Sequence, residues 1–133
     1  MHNPPVVSGA DNPWEDLVVS ILEVNQYSLE KTYALLSGLR EAGLVNPKNL
    51  GSWGLETIIS LLKSAGCDRG SFMTKLFASR LSSLGIAVKS HGTAACTQIL
   101  LSKERDKIGN LLLPISGIGP KVIHNFCLLR GIK

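Results

Sequence analysis

One stretch of the sequence combines the residue types that bind anions. It reads Leu113-Pro114-Ile115-Ser116-Gly117-Ile118-Gly119-Pro120-Lys121, lies between two apolar runs with helical spacing, and is called the Gly-Pro loop below. Glycine tolerates positive φ and lets another backbone come close, and proline suits the first turn of a helix. The pattern predicts a tight turn that opens a helix.

A phosphate is the ligand that such a turn predicts. The amides of Gly117, Ile118 and Gly119 should point outward at the start of the helix, where the positive end of the helix dipole favours an anion. Lys121 then stands one step inside the helix, beside the ligand. An ordinary turn between helices is the alternative for the loop. For Lys121, a solvated lysine or a phosphate contact is the alternative to a nucleophile.

Other polar residues near this loop could extend the site. His124 follows Lys121 by three positions and shares its helical face, but it has no cysteine or carboxylate partner, so we expect a bystander rather than a metal ligand or a general base. Cys127 falls on an apolar face and is predicted to be core. Five basic residues could form a phosphate-contacting face: Lys103, Arg105, Lys107, Arg130 and Lys133. A plain solvated surface is the alternative, because Glu104 and Asp106 interrupt the run of positive charge.

The composition indicates one soluble helical domain. The chain has 133 residues, is 44% hydrophobic with only 5% aromatic residues, and carries a net charge of +4, which leans toward a polyanionic partner. Cys67, Cys96 and Cys127 are far apart, so we expect neither a disulfide framework nor a cysteine-ligated metal, and a reduced cytoplasmic setting. We also expect no leader peptide and no membrane-spanning segment.

The apolar spacing predicts an all-α fold, a compact bundle of about six or seven helices after a loose arm at residues 1–12. Asn12 should cap the first helix and Ser28 should start the second. Gly43, Gly66 and Gly85 should end three of the helices. The predicted helices cover residues 13–24, 28–43, 54–65, 72–84, 93–101, 104–113 and 120–129, and Asn46-Pro47 begins a turn that could cap a short segment through Leu50.

The order of these segments resembles the helix-hairpin-helix DNA glycosylases of the endonuclease III type. The Gly-Pro loop and its flanking helices are similar to their DNA-binding hairpin, and Asn12-Pro13-Trp14-Glu15 through Ile21-Leu22 are similar to the opening of their catalytic domain. Asn25 and Gln26 occupy the place of the segment that probes the DNA gap, although polar residues in a loop between helices explain them equally well. The likeness would make residues 13–133 a partial domain of this kind.

This resemblance implies double-stranded DNA as the partner, base-excision repair as the setting, and a cytoplasmic, nucleoid-associated location in a bacterium or archaeon. It implies no cofactor and no metal, other than a monovalent cation that the hairpin carbonyls could hold. Gly117, Ile118, Gly119, Lys121, Asn25 and Gln26 would contact DNA.

In bifunctional members, a lysine at the place of Lys121 attacks the sugar C1′ and forms a Schiff base. The aspartate that assists departure of the base would fall beyond Lys133. The expectation is therefore a DNA-binding domain with Lys121-dependent cleavage at abasic sites. The alternative is an inactive relic that serves as a protein-interaction or assembly module, with a second chain or another copy completing the domain.

Overall fold

A computed structural model describes residues 12–23, 34–67 and 70–132. In this part of the chain every regular element is an α-helix, which confirms the all-α prediction. The prediction for the arm at residues 1–12 and the predicted start of the second helix at Ser28 concern mostly residues outside the described ranges. The described helices are α1 (Pro13–Glu23), α2 (Leu36–Glu41), α3 (Pro47–Ser52), α4 (Leu55–Ser64), α5 (Ser71–His91), α6 (Thr93–Leu101), α7 (Arg105–Leu112) and α8 (Pro120–Leu129).

Local sequence explains most of the helix ends. The side chain of Asn12 accepts a hydrogen bond from the Trp14 amide at 3.2 Å, and that of Asn46 accepts one from the Lys48 amide at 3.0 Å, as expected for N-terminal caps. Gly43 and Gly66 have φ of +79° and +95°, the left-handed conformation that ends a helix. These caps account for the close agreement between predicted and observed bounds in α1, α3 and α4.

The prediction for α5 was wrong at its C-terminal end. The helix does not end at Gly85 but continues to His91, and Gly92 with φ +105° ends it instead. Gly85 is buried inside the helix, where α3 packs against α5. Residues 86–91, which lie outside the predicted helices, therefore belong to α5, and Gly92 also occupies the N-cap position of α6.

Two central helices organise the core. α5 contacts α1, α3, α4 and α6, while α1 contacts α5, α6 and α8. Their inner faces contribute Leu17, Ile21, Phe77 and Leu81, all fully buried, to one continuous apolar cluster. Phe72, at the start of α5, does not join this cluster, because its side chain is 76% exposed. The end of the cluster nearest α7 and α8 supports the Gly-Pro loop.

Charged residues on α1 form hydrogen bonds to α2 and to the residue that follows α8. Asp16 is fully buried and accepts a hydrogen bond from Arg130, with 3.0 Å between its Oδ2 and the Nη1. Glu15, also buried, accepts two hydrogen bonds from Arg40, at 2.5 Å from Nε and 2.7 Å from Nη2. Such bidentate, charge-assisted contacts are among the strongest hydrogen bonds in proteins. They hold α2 and the end of α8 against α1.

Candidate functional site

The Gly-Pro loop joins α7 to α8 through two successive tight turns. The Ile115 amide donates a hydrogen bond to the Leu112 carbonyl at 3.0 Å, and the Ile118 amide donates one to the Ile115 carbonyl at 3.1 Å. The side chains of Ile115 and Ile118 are buried in the main apolar cluster. The buried side chains of Ile115 and Ile118 thus hold the loop against the core, and most of the loop residues around them are exposed.

Gly117 occupies the position in the loop that only glycine fills without strain. Its φ is +86°, and a Cβ built on it would lie 2.5 Å from Cγ of Arg80 on α5. Gly119 is different, because its φ of −113° and ψ of −174° are extended and a Cβ there would meet nothing within 4 Å. The fold therefore requires glycine at Gly117, whereas the absence of a side chain at Gly119 leaves open space at the surface.

The predicted set of outward amides needs one correction. The amide of Ile118 is used inside the loop, so it is not available to a ligand. The amides of Gly117 and Gly119 donate no hydrogen bond to any other described residue. The amide of Lys121, in the first turn of α8, has no partner within its helix. Of the described residues predicted to contact DNA, Gly117, Gly119 and Lys121 therefore keep N–H groups that can bind an anion.

Lys121 and His124 both lie exposed on α8. Among the described residues, no carboxylate lies within ion-pair distance of Lys121, and no group of three or more His, Cys, Asp or Glu could hold a metal ion. Lysines that act as nucleophiles are usually activated by desolvation or by a neighbouring cation, and Lys121 is exposed in the unbound chain, so a bound ligand would have to supply the desolvation. The geometry favours Lys121 as a mobile cation beside the free amides.

The predicted basic face is smaller than the sequence indicated. Arg130 belongs to the buried ion pair with Asp16, so its assignment to this face was wrong. Lys107 contacts Glu104 at 3.2 Å on the surface, and Lys133 lies outside the described residues. Lys103 and Arg105 remain exposed near the start of α7.

An open groove of about 440 Å³ runs between α7 and α8 beside the loop. Its wall includes Leu113 and Pro120 from the loop and Gly109 from α7, where a Cβ would meet nothing within 4 Å. Charged and polar side chains complete the lining: Arg105, Asp106 and Asn110. The charged groups that line this groove are therefore one cation, Arg105, and one carboxylate, Asp106.

Asn25 and Gln26, predicted to probe DNA, lie outside the described residues, so they stay predictions. Arg80, which packs under Gly117, was not predicted. Its signal was its position, because it follows Phe77 by three residues and precedes Leu84 by four, on the edge of the buried stripe of α5.

Comparisons with known proteins found no counterpart for this chain. No family model, no curated protein and no solved structure matches it. None of the helices in the described residues is both long and apolar enough to cross a membrane. The features of the molecule that bear on its function are therefore the geometry of the Gly-Pro loop and its neighbours.

Proposed function

We propose that this chain binds duplex DNA through the sugar-phosphate backbone, with the Gly-Pro loop as the main contact, in the manner of the helix-hairpin-helix DNA glycosylases that it resembles. The amides of Gly117 and Gly119 bind a phosphate, and Lys121 adds a cation beside it. The setting is base-excision repair, and cleavage at abasic sites by Lys121 is the activity that this arrangement would permit.

The observation that carries the proposal is the pair of unused amides at the start of α8. Backbone amides at a helix N-terminus bind phosphate because they point at the ligand and because the helix dipole is positive there. Gly119 has no side chain to keep a large polyanion away, and its added Cβ would meet no other atom within 4 Å. A nucleic-acid backbone can therefore approach the loop closely.

This kind of contact predicts weak dependence on base sequence. Phosphate contacts position a protein on the duplex, whereas contacts to base edges read the sequence. Each phosphate that is neutralised should add roughly 0.9 to the slope of log affinity against log salt. Recognition of damage would require a base flipped out of the duplex into a pocket between helices.

The test compares two glycine N-caps of this chain. Gly119 caps α8 and Gly54 caps α4; both are extended, and an added Cβ meets nothing within 4 Å at either. Gly119→Leu should therefore fold like the wild type but keep the phosphate away from the loop. Gly54→Leu should fold and bind normally. Fluorescence anisotropy with a short labelled duplex, repeated over a range of salt concentrations, measures both.

The expected result is salt-dependent binding that Gly119→Leu weakens about tenfold or more, the range of one charge-assisted hydrogen bond. Equal weakening by Gly54→Leu would point to damage to the fold instead. Binding that does not respond to salt, or that Gly119→Leu leaves unchanged, would refute backbone binding through this loop.

A second candidate is a catalytically inactive relic that serves as a protein-interaction or assembly module. Two large exposed apolar side chains favour it, because Leu113 in the loop is 51% exposed and Leu128 in the last turn of α8 is 59% exposed. Light scattering at several protein concentrations separates the two candidates. A stable dimer that Leu128→Ser dissociates, together with an absence of duplex binding, would support the second candidate.

A further inference from the structure

Arg80 carries hydrogen-bonding capacity that the described part of the chain does not use. It lies in the middle of α5, and its Nε and Nη1 atoms are both buried without a hydrogen-bond partner among the described residues. A guanidinium stays charged in proteins and cannot lose its proton to escape burial. A buried charge without a partner is costly to folding, so its retention needs an explanation.

The described carboxylates do not supply a partner. No ion pair joins any of them to Arg80, and those that lie closest to the core are already engaged: Glu15 with Arg40 and Asp16 with Arg130. The surface carboxylate of Glu104 contacts Lys107. The charge of Arg80 is therefore not balanced by an ion pair within the described part of the chain.

The position of Arg80 connects it to the Gly-Pro loop. The atoms nearest to an added Cβ on Gly117 are Cγ of Arg80 at 2.5 Å, followed by its Cβ and Cδ at 3.4 Å. The stem of the arginine thus lies directly against the loop glycine. Two hydrogen-bond donors without a partner among the described residues therefore belong to residues in contact. They are the amide of Gly117 and the planar guanidinium fork of Arg80, through its Nε and Nη1.

We infer that Arg80 is the cationic half of the anion site at the Gly-Pro loop and contacts a DNA phosphate together with the loop amides. The inference rests on the proposed function for the identity of the ligand. The side chain is half-buried in the unbound chain and its Nε and Nη1 atoms are covered, so these atoms must turn outward about the side-chain torsions to reach a phosphate. The bound phosphate then provides the partner that the described residues do not supply.

This role predicts an unusual combination of effects for Arg80→Met, which keeps the stem and removes the charge. Removing an unbalanced buried charge should raise Tm by about 4 °C. Removing a phosphate contact should weaken duplex binding about tenfold and lower the salt slope by about 0.9. Lys89→Met, which removes an exposed charge from the last turn of the same helix, should alter both quantities less.

Thermal denaturation and anisotropy of the wild type, Arg80→Met, Arg80→Lys and Lys89→Met make the test. Arg80→Lys keeps the charge but loses the fork, so its affinity should fall between those of the wild type and Arg80→Met. A lower Tm for Arg80→Met, or wild-type duplex affinity in that variant, would overturn the inference while leaving loop binding intact.

A second arm replaces DNA with inorganic phosphate, compared with chloride at equal ionic strength. If the wild type binds no duplex but phosphate raises its Tm and not that of Arg80→Met, the proposed function fails and Arg80 serves a free phosphate. If the wild type binds no duplex and phosphate acts equally on both proteins, the inference about Arg80 fails too.

Discussion

Gly51 of α3 and Gly85 of α5 pack backbone against backbone. A Cβ on Gly51 would lie 2.7 Å from the Gly85 carbonyl oxygen, and a Cβ on Gly85 would overlap the Gly51 amide and the Leu50 backbone. Almost all of the atoms that the added Cβ would meet belong to the backbone, so no flexible side chain could move aside to make room. The close approach of the two helices therefore depends on the absence of a side chain at both positions.

Gly85→Ala should destabilise the protein by about 2 kcal/mol, the usual range for overpacking a core. The direction is informative, because replacing a glycine inside a helix by alanine normally stabilises by about 0.5–1 kcal/mol. Gly109→Ala in α7 is the matched control, since its added Cβ meets nothing within 4 Å, and it should show that ordinary gain. Urea denaturation followed by circular dichroism measures both variants. Equal stabilisation by the two substitutions would disprove the close packing.

The buried ion pair between Asp16 and Arg130 should contribute far more to stability than the surface pair between Glu104 and Lys107. Asp16→Asn leaves a cation that is only 7% exposed without its counter-charge, which costs about 3 kcal/mol. Glu104→Gln breaks a contact between side chains that are more than half exposed, which costs less than about 1 kcal/mol. Chemical denaturation of both variants gives the comparison. Similar losses would mean that the Asp16–Arg130 pair is not buried.

These residues also show where prediction from sequence succeeds. Capping and punctuation are local signals, so Asn46-Pro47 and Gly119-Pro120 correctly predicted where α3 and α8 begin. Gly85 was misread because a glycine that ends a helix and a glycine that permits a close helix contact look alike in one sequence. To recognise the close helix contact at Gly85, one must know that Gly51 packs against it, and no local sequence signal connects these two glycines.

The same limit explains the errors at the candidate site. Arg130 looked like a surface cation because its partner, Asp16, is 114 residues away in sequence. The amide of Ile118 looked free because the turn that engages it depends on the geometry around Ile115. The tight turn at Gly117 and the first helical position of Pro120 could be predicted from spacing alone, because a glycine with positive φ and a proline at the first helical position are local requirements. The binding roles of Gly117, Gly119 and Lys121 stay predictions.

The buried cysteines predict a loss of stability in alkali. Burial raises the pKa of the Cys96 thiol above its ordinary value of 9.0, and burial also raises the pKa of Cys127, although the charge of Arg105 opposes this. Above pH 9 the unfolded chain loses these protons before the folded chain does. The contribution is therefore complete below pH 9 and is lost as the pH rises toward the folded-state values.

Urea denaturation across this pH range measures the effect, with a Cys96→Ala/Cys127→Ala variant as the control. The variant is expected to be less stable at neutral pH because it lacks buried side-chain volume, but its stability should fall less steeply above pH 9. Parallel curves for the two proteins would show that the thiols do not cause the alkaline loss.

The last prediction concerns catalysis by Lys121. If its amine attacks C1′ of an abasic sugar, the ring opens and an imine forms with loss of water. Borohydride then reduces the imine to a stable amine that links protein and DNA. We expect such an adduct with abasic duplex in the wild type and in Lys48→Ala, a variant at an exposed lysine on α3. Lys121→Ala should lose it. An adduct that persists in Lys121→Ala would assign the chemistry to another amine, and absence of any adduct in the wild type, with salt-dependent binding retained, would leave DNA binding as the function of the loop.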